Sequence, residues 1–279
     1  MRWDRNHESS YVDDRRGQSV GPGLGGVGLL LPLAARFGWK GLAVAAVLFF
    51  IVRGAGTCTS SSTPSRTPLS GSATPGARAD GDELAKFVGF VFDDVQSSWS
   101  ERFAAAGQRY QPARLVLFTG AVETGCGTAP SAVGPFYCPN DRHVYIDLSF
   151  YRELRERFGA AGDFAQAYVI AHEVGHHVEL QRRIASPESK AESVDYELLA
   201  DCLAGAWAED AARRDLLETG DLQEALDAAS AIGDDRIQKA STGEVHPESF
   251  THGSSAARRA AFERGFRGDA NDACGVMAR

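Results

Sequence analysis

His172, Glu173 and His176 lie in YVIAHEVGHHVELQ (Tyr168 to Gln181) with the spacing HExxH. Residues four apart on an α-helix share a face, so the two imidazoles form a two-nitrogen clamp for one metal ion. Glu173 is too close in sequence to ligate comfortably from the same face. It sits beside the metal, where a carboxylate takes a proton from a bound water. Two imidazoles leave a zinc ion half coordinated, so a catalytic site needs a third ligand from elsewhere and one open position. Glu197 and Asp201 in VDYELLADCLAGAWAED are again four apart, after a connection through Pro187 to Lys190 in which the chain turns back. Glu197 is the candidate oxygen ligand. Asp201, one turn on, is placed to accept the other ring N–H of a ligating histidine, with His172 the candidate, fixing its tautomer.

The bland alternative is an amphipathic core helix, since Tyr168, Val169, Ile170, Val174 and Val178 are apolar. Such a helix would bury two histidines and a glutamate at a cost of roughly several kcal/mol for each unpaired charge. A metal resolves that conflict. His177 is turned about 100° from His176 and is expected behind the ligands or at the surface.

Around this centre, 279 residues with average apolar and charged fractions allow one sizeable core plus appendages. Residues 81–279 hold 32 acidic and 20 basic side chains, whereas residues 1–80 hold 5 acidic and 9 basic. An acidic main domain argues against nucleic acid as a partner. Residues 1–36 read as a polar, then Gly-rich tail. Gly41 to Val52 (GLAVAAVLFFIV), bounded by Lys40 and Arg53, reads as the only long uncharged apolar run. Twelve residues rise only about 18 Å as a helix, so flanking residues 37–57 must help it cross roughly 30 Å of hydrocarbon. A cleaved signal peptide and a buried core helix are the rivals. The reading adopted is an uncleaved single-pass signal anchor in the cytoplasmic membrane. Basic residues before it keep the amino terminus inside and put the rest outside. Residues 58–80, rich in Ser, Thr and Pro, are the linker.

The domain is expected over 81–279. Leu84, Phe87, Val88, Val91, Val95, Trp99 and Phe103 recur at helical spacing. Arg114 to Phe118 and His143 to Leu148 read as strands joined by a Gly-rich excursion. HVYIDL is the candidate edge strand for an extended peptide, against the alternative of an ordinary internal strand. His143 within it reads as a surface histidine. Five cysteines fit an extracytoplasmic domain, with Cys126–Cys138 stapling the excursion and Cys202–Cys274 tying down the carboxyl-terminal tail. Free buried thiols are the alternative. Asp221 to Gln238 reads as one helix, and Ser254 or Ser255 caps a last one.

HExxH followed about twenty residues later by ExxxD resembles the thermolysin-like, or gluzincin, metallopeptidases. THGSSAAR resembles the THPxxxxR element of HtpX-type and prenyl-protein-processing zinc proteases, with Gly253 in place of proline. That resemblance implies His252 as a transition-state donor and Arg258 as its structural support; His246 and Tyr196 are the alternative donors. The MRW opening with DRRG, AHEVGHHVE, ELLADCLAGAWA, GDLQEALDAASAIGDDRIQ and SFTHGSSAARRAAFERGF are similar to the bacterial neutral zinc metallopeptidases, the YpfJ-like proteins.

The resemblance implies a zincin-type α+β domain, mainly helical with a small sheet. The expected function is peptide-bond hydrolysis of a peptide or protein substrate by a zinc-activated water, with Glu173 as general base. The alternative is a membrane-anchored, zinc-stabilised binding module that holds an envelope partner without turnover.

Overall fold

The computed structural model describes residues 1–18, 75–268 and 274–276. In chain order the elements are β1 (Val12–Asp14), α1 (Pro75–Ala105), β2 (Arg114–Phe118), β3 (Ala121–Thr124), β4 (Gly127–Pro130), β5 (Phe136–Cys138) and β6 (His143–Asp147). Then come α2 (Ser149–Glu156), α3 (Asp163–Gln181), α4 (Lys190–Arg213), α5 (Asp221–Ala231), α6 (Asp234–Thr242) and α7 (Ser255–Arg267).

The spaced apolar residues of α1 form its buried face, with Phe87, Val88, Val91, Phe92, Val95, Trp99 and Phe103 all in the core. The helix starts at Pro75, inside the stretch read as linker. Proline is tolerated at a first helical position because its missing N–H has no partner to lose there. The expected anchor (37–57) and the rest of the linker lie outside the described residues. No described helix is long and apolar enough to cross a membrane.

The main sheet runs β1-β2-β6-β5, with the first three strands parallel and β5 antiparallel to β6. The continuous apolar runs of β2 and β6 suit strands covered on both faces. This corrects the expectation for HVYIDL. β6 pairs on both sides and is internal, and the edge beside the site is β5. β3 and β4 form a separate hairpin, tied to β5 by the Cys126–Cys138 disulfide.

A second correction concerns the amino-terminal stretch, read as a tail over 1–36. Met1–Gln18 belong to the same compact unit as the domain. β1 pairs with β2 in the register Val12↔Leu115 to Asp14↔Leu117. Trp3 packs edge-on against Phe87 at 5.5 Å. His7 Nε2 lies 2.8 Å from Asp93, and the Met1 amino group donates at 2.6 Å to both oxygens of Asp163, the first residue of α3. Composition misleads here because the partners of these polar residues are supplied from distant parts of the chain. The same amino group explains the carboxylate cluster of Asp163, Asp221 and Glu224, since it also lies 3.3 Å from Asp221.

The expected helix over Asp221 to Gln238 is two helices, α5 and α6. The chain turns at Gly233, where a Cβ would lie 2.4 Å from the Ser255 backbone nitrogen. α7 is capped as expected by the Ser254 hydroxyl, which accepts from Ala257 N.

Helix crossings set the site. A Cβ on Gly175, inside the HExxH turn, would already touch Ala200 of α4 at 3.1 Å. α4 and α7 approach still closer. A Cβ on Gly205 would lie 2.0 Å from the Phe262 carbonyl oxygen, and one on Gly265 would lie 1.9 Å from that of Cys202. The Cys202–Cys274 disulfide joins the carboxyl-terminal segment to the same helix. Gly205→Ala is therefore expected to force α4 and α7 apart and to destabilise the fold by about 3 kcal/mol or more. Denaturant unfolding of the variant against wild type checks this.

Candidate metal centre

α3 carries His172 and His176 one turn apart, with ring centroids 4.8 Å from each other. Glu197 reaches in from α4, with Oε2 3.2 Å from His172 Nε2 and Oε1 3.6 Å from His176 Nε2. Ligating atoms of the three residues all lie within 4.8 Å of one another. Behind the rings, Asp201 Oδ1 is 2.9 Å from His172 Nδ1, and Glu179 Oε2 is 2.8 Å from His176 Nδ1. With each Nδ1 donating to its carboxylate, both Nε2 lone pairs face Glu197. That donor set, two imidazoles and a carboxylate converging on one point, fits a zinc ion.

Buried charges elsewhere support it. Arg258 of α7 donates from Nε to Asp201 Oδ2 at 2.8 Å and from Nη2 to Oδ1 at 3.0 Å, and the Tyr168 hydroxyl donates to the same carboxylate. Asp201 and Arg258 are fully buried or nearly so. Burial works to raise the Asp201 carboxyl, but Arg258 and His172 hold it well below the usual range. Burial would lower His172, yet Asp201 and Glu197 push it up to about 10. Glu197 is resisted by burial and held down to about 2 by the two imidazoles. The convergence point thus favours positive charge. Glu173, by contrast, is pushed up by burial against the pull of His172 and His176.

Glu173, the two histidines and Glu197 line a cleft of about 620 Å³. Phe136 and Tyr137 of β5 form one wall, and His252, Tyr196 and Arg258 also face it. Half-exposed His252 has its Nδ1 3.0 Å from Thr251 Oγ1 and 3.4 Å from Asp234 Oδ1. Tyr196 stacks on the His176 ring at 5.1 Å, and burial together with Glu179 raises its hydroxyl well above the usual tyrosine range. His246 pairs with Glu244 and Glu248 on an exposed stretch outside the cleft lining. His143 lies outside it too, with Nδ1 2.6 Å from the Asp141 carbonyl. Cys202 is in its disulfide.

Sequence reading missed three side chains. Glu179 had a signal, since it stands three residues after His176 on the same helix. Tyr168, four residues before His172, had the same one. Asp234 had none. Its Oδ2 accepts from the backbone nitrogens of Thr251, His252 and Gly253 and so shapes the loop that carries His252.

His177 points away from the ligands. Its Nε2 donates to the Gln111 carbonyl at 2.7 Å, and its Nδ1 accepts from the Tyr137 hydroxyl at 2.8 Å. Burial lowers its pKa to about 4. The unfolded chain therefore binds this proton more readily, and the stability contribution is complete above about pH 6.5 and lost as pH falls toward 4. The loss is on the order of 3 kcal/mol. A His177→Gln variant is expected to show a flatter pH dependence than wild type. Denaturation midpoints of both proteins at pH 7 and 4.5 test this, and parallel shifts would refute it.

The chain, an α+β domain with this histidine and carboxylate set on two neighbouring helices, belongs to the neutral zinc metallopeptidase family. Its pattern, described as "Putative neutral zinc metallopeptidase", matches residues 1–277. The chain is 43% identical over 277 residues to "Uncharacterized protein YpfJ" of Escherichia coli (strain K12), covering 95% of each. It is 46% identical over 180 residues to "Uncharacterized protein Rv2575" of Mycobacterium tuberculosis (strain ATCC 25618 / H37Rv), covering 58% of this chain and 61% of that protein. No solved structure matches.

Proposed function

We propose that the protein is a zinc-dependent peptidase that hydrolyses peptide bonds with Glu173 as general base. The observation that carries this is the convergence of His172, His176 and Glu197 in a cleft that Glu173 shares. Zinc held by those three residues would supply Lewis acidity, acidifying a water and polarising the scissile carbonyl. Glu173 takes the proton from the attacking water and returns it to the leaving amine, a task suited to a carboxyl raised by burial. His252 donates a hydrogen bond to the oxyanion that develops, and Asp234 holds its loop in place. Tyr196 is the alternative donor. Arg258 acts through Asp201, which orients the ring of His172. β5, as the strand at the sheet edge, offers its free backbone groups to an extended peptide, with Phe136 and Tyr137 as the adjoining wall.

The test is cleavage of a peptide library by the full chain, because residues 1–18 are part of the fold. Chelation is expected to reduce turnover at least about a hundredfold, with recovery on adding zinc. Stoichiometric zinc with no turnover of any peptide would instead indicate the non-catalytic binding module.

A further inference from the structure

We propose that His177 is a positioning residue for substrate: through the Tyr137 hydroxyl it fixes the spacing between the edge strand β5 and the helix α3 that carries the two histidine ligands. This rests on the peptidase reading only in taking β5 as the strand that a bound peptide pairs with. β5 spans three residues, Phe136–Cys138, and stands last in the sheet with β6 as its neighbour. Few ladder bonds hold so short a strand, so its place depends on the ties around it.

Two sets of ties act within the layer of β5 itself. Buried Cys138 is joined to exposed Cys126 in the turn between β3 and β4. The stretch leading into β5 is pinned at Ser131, whose hydroxyl donates to Asp147 and whose backbone N donates to the Gly120 carbonyl at 2.7 Å. Gly120 N donates in turn to Asp147 Oδ2 at 2.9 Å. These bonds join β5 and its approach to the hairpin and to β6. They do not set its distance from α3.

Tyr137 makes the crossing. Its hydroxyl donates to His177 Nδ1 at 2.8 Å, with the two ring centroids 5.3 Å apart. His177 Nε2 donates to the Gln111 carbonyl at 2.7 Å. A carbonyl only accepts, so that bond fixes the tautomer and leaves Nδ1 as the acceptor for Tyr137. Gln111 is itself held on α3: its N donates to Gln181 Oε1 at 2.7 Å, and Gln181 Nε2 donates back to its carbonyl at 3.2 Å. Tyr110 packs edge-on against the imidazole at 5.6 Å, and His177 is fully buried. The ring is thus a fixed spacer, one residue from the ligand His176 on the same helix. Tyr137 also lines the cleft, so this bond sets how far β5 stands from the convergence point of the ligands. A peptide that pairs with β5 while its carbonyl meets the metal needs that distance held, since a misplacement of about 1 Å can cost about a hundredfold.

The test compares two probes on the zinc-loaded full chain. Acetohydroxamate takes the metal and reaches no strand, whereas N-acetyl-trialanine hydroxamate adds a peptide backbone that can lie along β5. Wild type is expected to bind the peptide hydroxamate at least about tenfold more tightly. Tyr137→Phe keeps the ring and is expected to lose about three- to tenfold of that affinity, the range one hydrogen bond spans, with the affinities for zinc and acetohydroxamate unchanged. His177→Gln places its amide where Nε2 stands and offers no acceptor at the Nδ1 position. It is expected to lose as much, and the double variant no more than either single one, because all three break the same tie. The ratio of the two affinities is read on folded protein, so a loss of stability alone leaves it unchanged. Either single variant decides the question if the other does not fold. Equal affinity of wild type for both probes would show that β5 does not receive peptide, and an unchanged ratio in the variants would show that the bond sets nothing. Loss of zinc or acetohydroxamate binding along with the peptide would mean that His177 serves the metal site. Each of these three results overturns the proposal. A chain that shows the expected ratios but cleaves no peptide would remove the peptidase reading and leave the positioning role standing.

Discussion

Glu173→Gln is expected to lose about 10²- to 10⁴-fold in peptide hydrolysis, the range a positioned general base supplies, while zinc content and stability are retained. The substitution keeps the side chain's shape, so the wall of the cleft beside His172 and His176 is preserved. It removes only the capacity to take up a proton. Because burial already disfavours the charged form of Glu173, the neutral amide imposes no new desolvation cost and should not lower stability. Loss of turnover in this variant therefore cannot be attributed to unfolding. Turnover of the purified, zinc-loaded variant at the wild-type rate would remove Glu173 from the mechanism. Zinc lost along with activity would instead mean that the residue serves the metal.

Arg258→Met carries the largest expected structural effect. Arg258 and Asp201 are buried together, and the carboxylate also receives the Tyr168 hydroxyl and faces His172. Removing the guanidinium leaves a buried carboxylate without its strongest partner, which typically costs about 3–5 kcal/mol. The same change loosens the group that orients His172, and such partners are commonly worth about 10- to 100-fold in metal affinity. Denaturant unfolding of the metal-free protein and competitive zinc titration measure the two effects separately. Arg258→Met with Asp201→Asn should recover part of the stability, because no unpaired charge remains, without recovering the affinity. If stability and zinc binding are both unchanged in the single variant, the buried network has no energetic role.

The metal set was legible because it is written in helical periodicity. His172 and His176 are four apart, as are Glu197 and Asp201, and each pair shares a face wherever its helix packs. The first amphipathic helix and the two buried strands followed from similarly local patterns, whereas the two cystine pairings were one reading of five cysteines, and the structure forms both. Arg258 came from a resemblance alone, since nothing local to α7 says that its guanidinium will meet Asp201 of α4. Asp234 could not be found at all. Its three backbone partners stand 17 to 19 residues further along, beyond the end of α6.

By itself, then, the sequence determined which side chains are the candidates to hold a metal and to act as base, and which helix faces carry them. Three things were decided only by tertiary structure: that β6 is internal and β5 the edge, that Asp221 to Gln238 breaks in two, and that the amino-terminal residues complete the sheet. The physical reason is common to all three. A strand's neighbours, a close backbone approach such as Gly233 on Ser255, and the pairing of Val12 with Leu115 are contacts between distant residues. Periodicity reports only which way a side chain faces within its own element, never what lies opposite.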